Sequence, residues 1–284
     1  MFAANSKQKM ISNMKTGIII PCYNEADRIN QIAFLHFIKQ HSEYHLCFVN
    51  DGSKDETIKV LNRLKRNAND RISVVDVKRN GGKAAAVRAG ARYLYTREDI
   101  EYIGFMDADL STDFDDFKAL VDKLKSDDKL VSVFGSRNLG NGDIQRKGDR
   151  GVLSKIVGFC IKMILGLPIT DTQCGAKVFR KEIIPIIYGK PFVSRWLFDV
   201  EIFIRLKKHF GSKRVMNHIH EQALMRWIHE EGSKLDLKAS LQIPARLASI
   251  WLTYTNFQLV DDSQVVQFMN MSLNSSYEEL SIAA

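Results

Sequence analysis

The sequence has only four cysteines, and their spacing indicates no special function. Cys22, Cys47, Cys160 and Cys174 form no C-x-x-C pair, and no Cys/His group has the spacing of a zinc site. We therefore expect reduced and mostly buried thiols, which are typical of a cytoplasmic protein.

Long apolar runs are also missing. No segment reaches the roughly 18 apolar residues that a transmembrane helix requires, and the most apolar stretch, 156–169, is interrupted by Lys162. The apolar run at 17–21 is too short for the core of a signal peptide. We expect a cytoplasmic protein. Peripheral contact with the cytoplasmic face of a membrane is compatible with this expectation.

The chain of 284 residues is long enough for one large domain with an appendage. Its 45% hydrophobic and 26% charged residues are ordinary for a globular protein. The pattern predicts an N-terminal extension over 1–15, the main domain over 16–235, an amphipathic helix over 236–258 and a polar, flexible tail over 259–284.

Positive charge is concentrated in one stretch. The chain carries a net charge of +8, and residues 137–190 contain ten Lys/Arg against four Asp/Glu. Such a segment attracts phosphate groups, nucleic acid or an anionic membrane. Composition alone gives equal weight to an ordinary solvated surface.

Strand and helix patterns alternate about five times in the first 135 residues. This alternation predicts an α/β fold with a mostly parallel sheet and helices on both faces. Further helices are predicted over 152–165 and 198–210 and from Pro244 onward.

Polar clusters follow four of these strands, at 23–25, 51–53, 80–83 and 107–109. The carboxyl ends of parallel strands meet at one edge of the sheet, where ligands of such sheets bind. The sequence therefore predicts a ligand site built from these four clusters.

Asp107 and Asp109 stand two residues apart at a strand end, so that both side chains face the same side if the backbone stays extended. Two adjacent carboxylates repel each other unless a cation joins them, and their oxygens suit Mg²⁺ or Mn²⁺. The competing interpretation is an acidic turn that caps the helix after Thr112.

Two further residues each allow a functional and a structural interpretation. Lys83 begins a helix after two glycines and could reach a phosphate, although the segment is not a Walker sequence and could be a simple turn. Asp51 could accept a hydrogen bond from a base or a ribose, or could only support its own turn.

Nine short segments, in order, resemble the inverting family 2 glycosyltransferases of GT-A fold. The similarity is greatest to the polyprenyl-phosphate branch, and within it to the dolichyl-phosphate β-glucosyltransferases. The segments are Pro21-Cys-Tyr-Asn-Glu25, Asn50-Asp-Gly-Ser-Lys-Asp55, Asn80-Gly-Gly-Lys83, Val87-Arg-Ala-Gly90, Asp107-Ala-Asp-Leu-Ser-Thr-Asp113, Gly135-Ser-Arg137, Asp171-Thr-Gln-Cys-Gly175 with Lys177, Trp196-Leu-Phe-Asp-Val-Glu201 and Gly232-Ser-Lys234.

The resemblance implies a GT-A (Rossmann-like) fold and a nucleotide-sugar donor, with UDP-glucose favoured over GDP-mannose. It implies that Mg²⁺ or Mn²⁺ is held by Asp107 and Asp109. The donor-binding residues that it implies are Pro21, Tyr23, Glu25, Asp51, Lys83 and Asp107.

For the acceptor, the resemblance implies a polyprenyl or dolichyl phosphate and no nucleic acid. Arg137, Arg150 and Ser154 would bind the acceptor phosphate, and Asp171 and Asp199 would face the reacting sugar. A phosphate monoester has a second pKa near 6 and is already nucleophilic at neutral pH, so one displacement with inversion needs no strong base.

Several alternatives stay open. A hydroxyl acceptor would require a general base, for which Asp171 or Asp199 is the candidate. The alternative is that Asp171 is a turn residue and Asp199 a helix-end charge. Ser111 stands where related enzymes often have Gln, so a third metal ligand is unassigned. A catalytically silent nucleotide-sugar binding protein is also compatible, whereas a sugar nucleotidyltransferase would need a Gly-rich loop that residues 17–24 lack.

Overall fold

The computed structural model describes residues 14–68, 70–139, 143–145, 151–228 and 243–255. For residues 143–145, 151–156 and 228 it describes the course of the backbone alone. The predicted tail over 259–284 and all but two residues of the predicted extension over 1–15 lie outside these ranges.

A seven-stranded mixed sheet forms the centre of the described chain, and a short parallel pair, β6 with β9, lies beside it. The strands are β1 (Lys15–Cys22), β2 (Tyr44–Asp51), β3 (Ile72–Val77), β4 (Ile100–Phe105), β5 (Ser132–Ser136), β6 (Asp143–Gln145), β7 (Lys177–Arg180), β8 (Ile219–Ala223) and β9 (Arg226–Ile228).

The strand order is β3-β2-β1-β4-β7-β5-β8, and only β7 runs against its neighbours in this sheet of the described chain. The predicted mostly parallel sheet is therefore confirmed. After β1 the chain adds strands first on one side and then, with β4, on the other. Such a reversal opens a crevice beyond the carboxyl ends of the strands. In this sheet the crevice lies between β1 and β4.

Helices cover both faces of the sheet, as the alternation predicts. Against one face pack α1 (Gln31–Gln40), α2 (Thr57–Asn67) and α4 (Phe114–Lys125). Against the other pack α3 (Lys83–Tyr95), α5 (Gly151–Leu165), α6 (Ile184–Tyr188), α7 (Phe198–Phe210) and α8 (Ile243–Thr255). Each face of the sheet buries its own apolar cluster. Packed side chains therefore support the sheet edge that carries the site from both sides.

The helix α3 lies unusually close to the sheet, because it has glycine where it crosses β1 and β2. A Cβ atom on Gly90 would stand 2.6 Å from Ile19 Cγ2 and 3.0 Å from Val49 Cγ2. This close approach fixes the height of the α3 N-terminus, and thus of Lys83, above the strand ends.

The C-terminal helix α8 covers Ile243–Thr255, within the predicted span 236–258 whose remaining residues lie outside the described ranges. It buries Leu247, Ile250 and Tyr254 and leaves Trp251 and Leu252 exposed. Across the described part of the chain, every helix is too short or too polar to traverse a lipid bilayer.

Candidate active site

The loops that follow β1 and β2 are tied together by hydrogen bonds. Asn24, whose backbone is left-handed with φ 53°, donates its N–H to Ser53 Oγ at 3.0 Å and accepts from the Lys54 N–H at 2.9 Å. The Glu25 N–H donates to Thr57 Oγ1 at 2.8 Å. Two strand ends that are far apart in sequence thus form one rigid wall.

This wall carries three predicted donor-binding residues. Pro21 pairs with Val49 near the end of β1, and both Pro21 and Tyr23 are half-buried. Glu25 lies 3.7 Å from Arg28 in an ion pair. The structure thus brings these residues to the crevice edge, and their contact with a nucleotide stays a prediction.

Asp51 ends β2 and holds the next loop. Its two carboxylate oxygens accept from the Gly81 and Gly82 N–H groups, each at 2.8 Å. Burial raises the pKa of Asp51 to about 6, although these two hydrogen bonds and the charge of Arg195 act in the opposite direction. Asp51 therefore supports the glycine loop, in addition to the donor contact that the sequence predicts.

The acidic pair lies in the turn after β4. Asp107 Oδ1 stands 2.5 Å from Lys83 Nζ. Asp109 Oδ1 accepts from the Ser111 N–H at 3.0 Å and from the Ser111 hydroxyl, across Leu110 with a left-handed φ of 56°. Two of the predicted strand-end clusters, 80–83 and 107–109, are thus in direct contact.

Lys83 is held at the first residue of α3 with its ammonium directed at the acidic pair. Burial alone would lower the pKa of Lys83, but the charges of Asp107 and Asp199 outweigh it and raise the pKa above its ordinary value. Lys83 is therefore a fixed cation, suited to neutralising the acidic pair or the phosphates of a donor.

Gly175 faces the other side of Asp107. A Cβ atom at this position would lie 2.0 Å from Asp107 Oδ2 and 2.8 Å from its Cγ. Only glycine leaves room for the carboxylate here. The segment 171–175 and the acidic pair therefore occupy one site, as the resemblance implies.

We expect Gly175→Ala to slow glycosyl transfer by about a hundredfold, because the new methyl group must displace the Asp107 carboxylate by an ångström or more. The matched control is Gly158→Ala in α5, where a Cβ atom would meet nothing within 4 Å. Steady-state kinetics of both variants make the comparison. Wild-type kcat/KM in the Gly175 variant would show that the position of Asp107 is unimportant.

The residues present fit a divalent cation whose coordination is completed by the phosphates of the substrate. In the ranges with described side chains, no cluster of three or more His, Cys, Asp or Glu side chains could enclose a metal ion. Asp107 and Asp109 nevertheless offer hard oxygen ligands in one turn, and the Asp107 side chain is 35% exposed, so a cation can reach it. Mg²⁺ and Mn²⁺ often bind through one or two carboxylates plus substrate phosphates.

Arg137 and Asp171 form a two-pronged ion pair on the opposite wall. The Arg137 Nε and Nη2 atoms donate to Asp171 at 2.7 and 2.8 Å, and the Arg137 guanidinium lies 5.1 Å from the centre of the Trp227 ring. Burial alone would raise the pKa of Asp171, but Arg137 lowers it below its ordinary value. Glu221 fixes the pair by accepting from the Asp171 N–H at 2.7 Å.

Asp199 lies beneath these residues in a buried ion pair. The Lys177 ammonium donates to Asp199 Oδ1 at 2.6 Å and to the Cys174 and Thr172 carbonyls at 2.6 and 3.1 Å. Lys177 is 0% and Asp199 4% exposed. The pair anchors the segment 171–175 below the site, so Asp199 has a structural contact beside its predicted catalytic role.

Two predicted acceptor residues cannot be placed in the same way. Arg150 lies outside the described residues, and Ser154 lies in α5 where the backbone alone is described. Three site residues were absent from the sequence-based prediction: Lys177, Glu221 and Arg195. Only Lys177 had a signal, its position in a segment similar to the family.

Comparisons with known proteins identify the family of this chain. Residues 17–185, more than half of the chain, match the family described as glycosyl transferase family 2. A dolichyl-phosphate beta-glucosyltransferase of Dictyostelium discoideum is 30% identical over 260 residues, which cover 86% of this chain and 76% of the relative. The enzyme of the same description from Drosophila melanogaster is 31% identical over 258 residues, covering 85% and 76%.

Solved structures share the fold. Glucosyl-3-phosphoglycerate synthase from Mycobacterium tuberculosis, in complex with Mn²⁺, UDP and phosphoglyceric acid, superposes with a TM-score of 0.61 at 17% identity, covering 87% of this chain and 82% of that one. A complex of the same protein with Mg²⁺ and UDP gives a TM-score of 0.59 at 18% identity, covering 87% and 82%. The chain therefore belongs to glycosyl transferase family 2 and is a glycosyltransferase of GT-A fold.

Proposed function

We propose that this enzyme transfers glucose from UDP-glucose to dolichyl phosphate or a related polyprenyl phosphate, in a metal-dependent reaction that inverts the anomeric carbon. One observation carries the proposal: Asp107 is paired with Lys83 on one wall, and the segment that starts with Asp171, which is paired with Arg137, packs against Asp107 from the other. Gly175, in the segment that carries Asp171, packs against the Asp107 carboxylate, which brings the two walls to one space.

The donor side suits a nucleoside diphosphate sugar. Lys83 supplies a fixed cation, and the loop of Gly81 and Gly82 lets the backbone approach a ligand closely. Mg²⁺ or Mn²⁺, held by Asp107 and Asp109, would neutralise the diphosphate and make it a better leaving group. The family relatives are named as glucosyltransferases and the fold neighbours bind UDP, which supports UDP-glucose over GDP-mannose.

The acceptor side suits a phosphate monoester. Arg137 presents a planar guanidinium that is held by Asp171 and by the face of Trp227, and such a group binds phosphate in two-pronged fashion. A phosphate oxygen attacks the anomeric carbon of the donor, the bond from that carbon to the diphosphate oxygen breaks, and UDP leaves. The phosphate is already ionised, so no side chain has to remove a proton.

The two predicted catalytic residues fit a positioning role in this reaction. Asp171 orients Arg137, and Asp199 is paired with Lys177 beneath the reacting centre. A base at either position would be required only for a hydroxyl acceptor. We further propose that the enzyme works at the cytoplasmic face of a membrane, where a polyprenyl phosphate presents its head group.

Transfer assays test the proposal directly. Purified enzyme is incubated with UDP-glucose or GDP-mannose and a short polyprenyl phosphate, with Mg²⁺, Mn²⁺ or EDTA, and with glucose and an alkyl alcohol as alternative acceptors. We expect glucosyl phosphate lipid from UDP-glucose only, with loss of product in EDTA. Transfer to a hydroxyl alone, or donor binding without turnover on any acceptor, would contradict it.

We expect Arg137→Ala to raise the KM for the polyprenyl phosphate by about tenfold or more while the affinity for UDP stays within about twofold, because a charge-assisted contact to the acceptor is lost. Acceptor saturation curves and UDP titrations measure the two effects. Arg214→Ala, which removes an exposed arginine that precedes the edge strand β8, is the matched control. An unchanged acceptor KM and kcat would remove Arg137 from the acceptor site.

A further inference from the structure

The segment 187–191, which runs from the end of α6 into its connection with α7, is held by two buried arginines. Arg88 on α3 donates to the Tyr188 and Gly189 carbonyls at 2.9 and 3.0 Å. Arg205 on α7 donates to the Ile187, Lys190 and Pro191 carbonyls at 2.6, 2.7 and 2.8 Å. Five consecutive carbonyl groups are thus bound by side chains from two helices that begin at the site.

The next residues of this connection are held from below by Glu201. Its carboxylate accepts from the Val193 and Ser194 N–H groups at 2.9 and 2.8 Å. Tyr254 on α8 donates to Glu201 at 2.8 Å and accepts from Arg205 Nε at 2.7 Å. The backbone around 192–194 is therefore fixed in place before it reaches the site.

The fixed backbone delivers Arg195 to the N-terminus of α3. The Arg195 carbonyl accepts from the Ala84 N–H at 3.2 Å. The Arg195 side chain crosses Gly82 so closely that a Cβ atom there would stand 2.9 Å from Arg195 Cβ and 3.1 Å from its Cγ. Its Nη2 atom donates to the Asn80 carbonyl at 3.3 Å.

The guanidinium of Arg195 remains available to a ligand. Among the residues whose side chains are described, no carboxylate forms an ion pair with it, whereas Lys83 is paired with Asp107 and Arg137 with Asp171. The Arg195 side chain is exposed, and its charge reaches Asp51 across the glycine loop. Within the described side chains, Arg195 is therefore a cation without a carboxylate partner, held over the glycine loop that Asp51 binds and that leads into Lys83.

We infer that Arg195 is a donor-binding residue, whose guanidinium contacts the diphosphate of the nucleotide sugar above Gly82 and Lys83. This inference rests on the proposed function and adds a second cation to it. The diphosphate carries more negative charge than Lys83, already paired with Asp107, can balance. A planar guanidinium held over a glycine loop can offer two parallel N–H groups to phosphate oxygens.

Calorimetric titration with UDP and MnCl₂ tests the inference on the purified full chain. Arg195→Gln is expected to weaken UDP binding by about tenfold or more, because it removes the charge-assisted contact. Arg195→Lys is expected to restore only part of the affinity, since an ammonium lacks the paired N–H groups. Arg66→Gln, which removes an exposed arginine from the last turn of α2, is the matched control and should bind UDP as the wild type does.

Uridine, which lacks phosphate, separates diphosphate binding from a general change of the site. Its affinity should be the same in wild type and Arg195→Gln. Wild-type binding of UDP with less than a twofold effect of Arg195→Gln would overturn the inference and leave the proposed function standing. Failure of the wild type to bind UDP would instead overturn the proposed donor, and this inference with it. Equal thermal unfolding midpoints exclude misfolding as the cause.

Discussion

Asp107→Asn is expected to lower kcat/KM for glycosyl transfer by about a thousandfold, which corresponds to roughly 4 kcal/mol of lost transition-state stabilisation. The variant keeps the size of the side chain and removes its charge. It therefore removes one of the two carboxylates that fit Mg²⁺ or Mn²⁺, and it breaks the 2.5 Å ion pair that holds Lys83. Donor binding and chemistry are both expected to suffer.

Three measurements check this result: initial rates over a range of UDP-glucose concentrations, Mn²⁺ binding followed by electron paramagnetic resonance, and urea unfolding. The matched control is Asp115→Asn, because Asp115 is an exposed aspartate whose carboxylate lies 3.6 Å from Lys118. The control should retain full activity. An Asp107→Asn enzyme that transfers glucose at the wild-type rate, or that binds Mn²⁺ equally well in the presence of UDP, would refute the metal assignment.

The fold and one face of the site could be predicted from the sequence because their signals are local. Each buried strand is followed by polar residues, and parallel topology alone brings those strand ends together. This argument placed the clusters that contain Asp51, Lys83 and Asp107 in one site. In the structure Asp51 binds the glycine loop and Lys83 pairs with Asp107. Similarity to the family then placed Asp171 and Arg137 on the facing wall, where they form an ion pair.

The rest could not be predicted, because it depends on contacts between distant segments. The four-residue strand β7 inserts antiparallel between β4 and β5, and it is too short to give a periodic pattern. Its first residue, Lys177, is charged and yet fully buried. Hydropathy alone would predict an exposed lysine at this position. Arg195 is positioned by hydrogen bonds from Glu201 and Arg205 to the preceding backbone. No sequence pattern indicates that these two residues have this role.

The buried pair of Lys177 and Asp199 has the largest expected effect on stability. Lys177→Met should lower the free energy of unfolding by about 3–5 kcal/mol, because it leaves the Asp199 carboxylate buried without a counter-ion. The Thr172 and Cys174 carbonyls lose their donor at the same time. The segment that carries Asp171 and Gly175 then loses its anchor, and activity should fall with stability. Urea unfolding and transfer rates measure both.

Two further variants separate the structural contact of Asp199 from its predicted catalytic role. Lys59→Met breaks an exposed ion pair with Glu56 and should cost less than about 1 kcal/mol, which calibrates the buried pair against a surface one. The double variant Lys177→Met with Asp199→Leu removes both buried charges and should recover about half of the lost stability or more. It should nevertheless remain inactive if Asp199 acts on the reacting sugar. An active and stable double variant would show that Asp199 serves the fold alone, whereas unaltered stability of Lys177→Met would show that the buried pair anchors nothing.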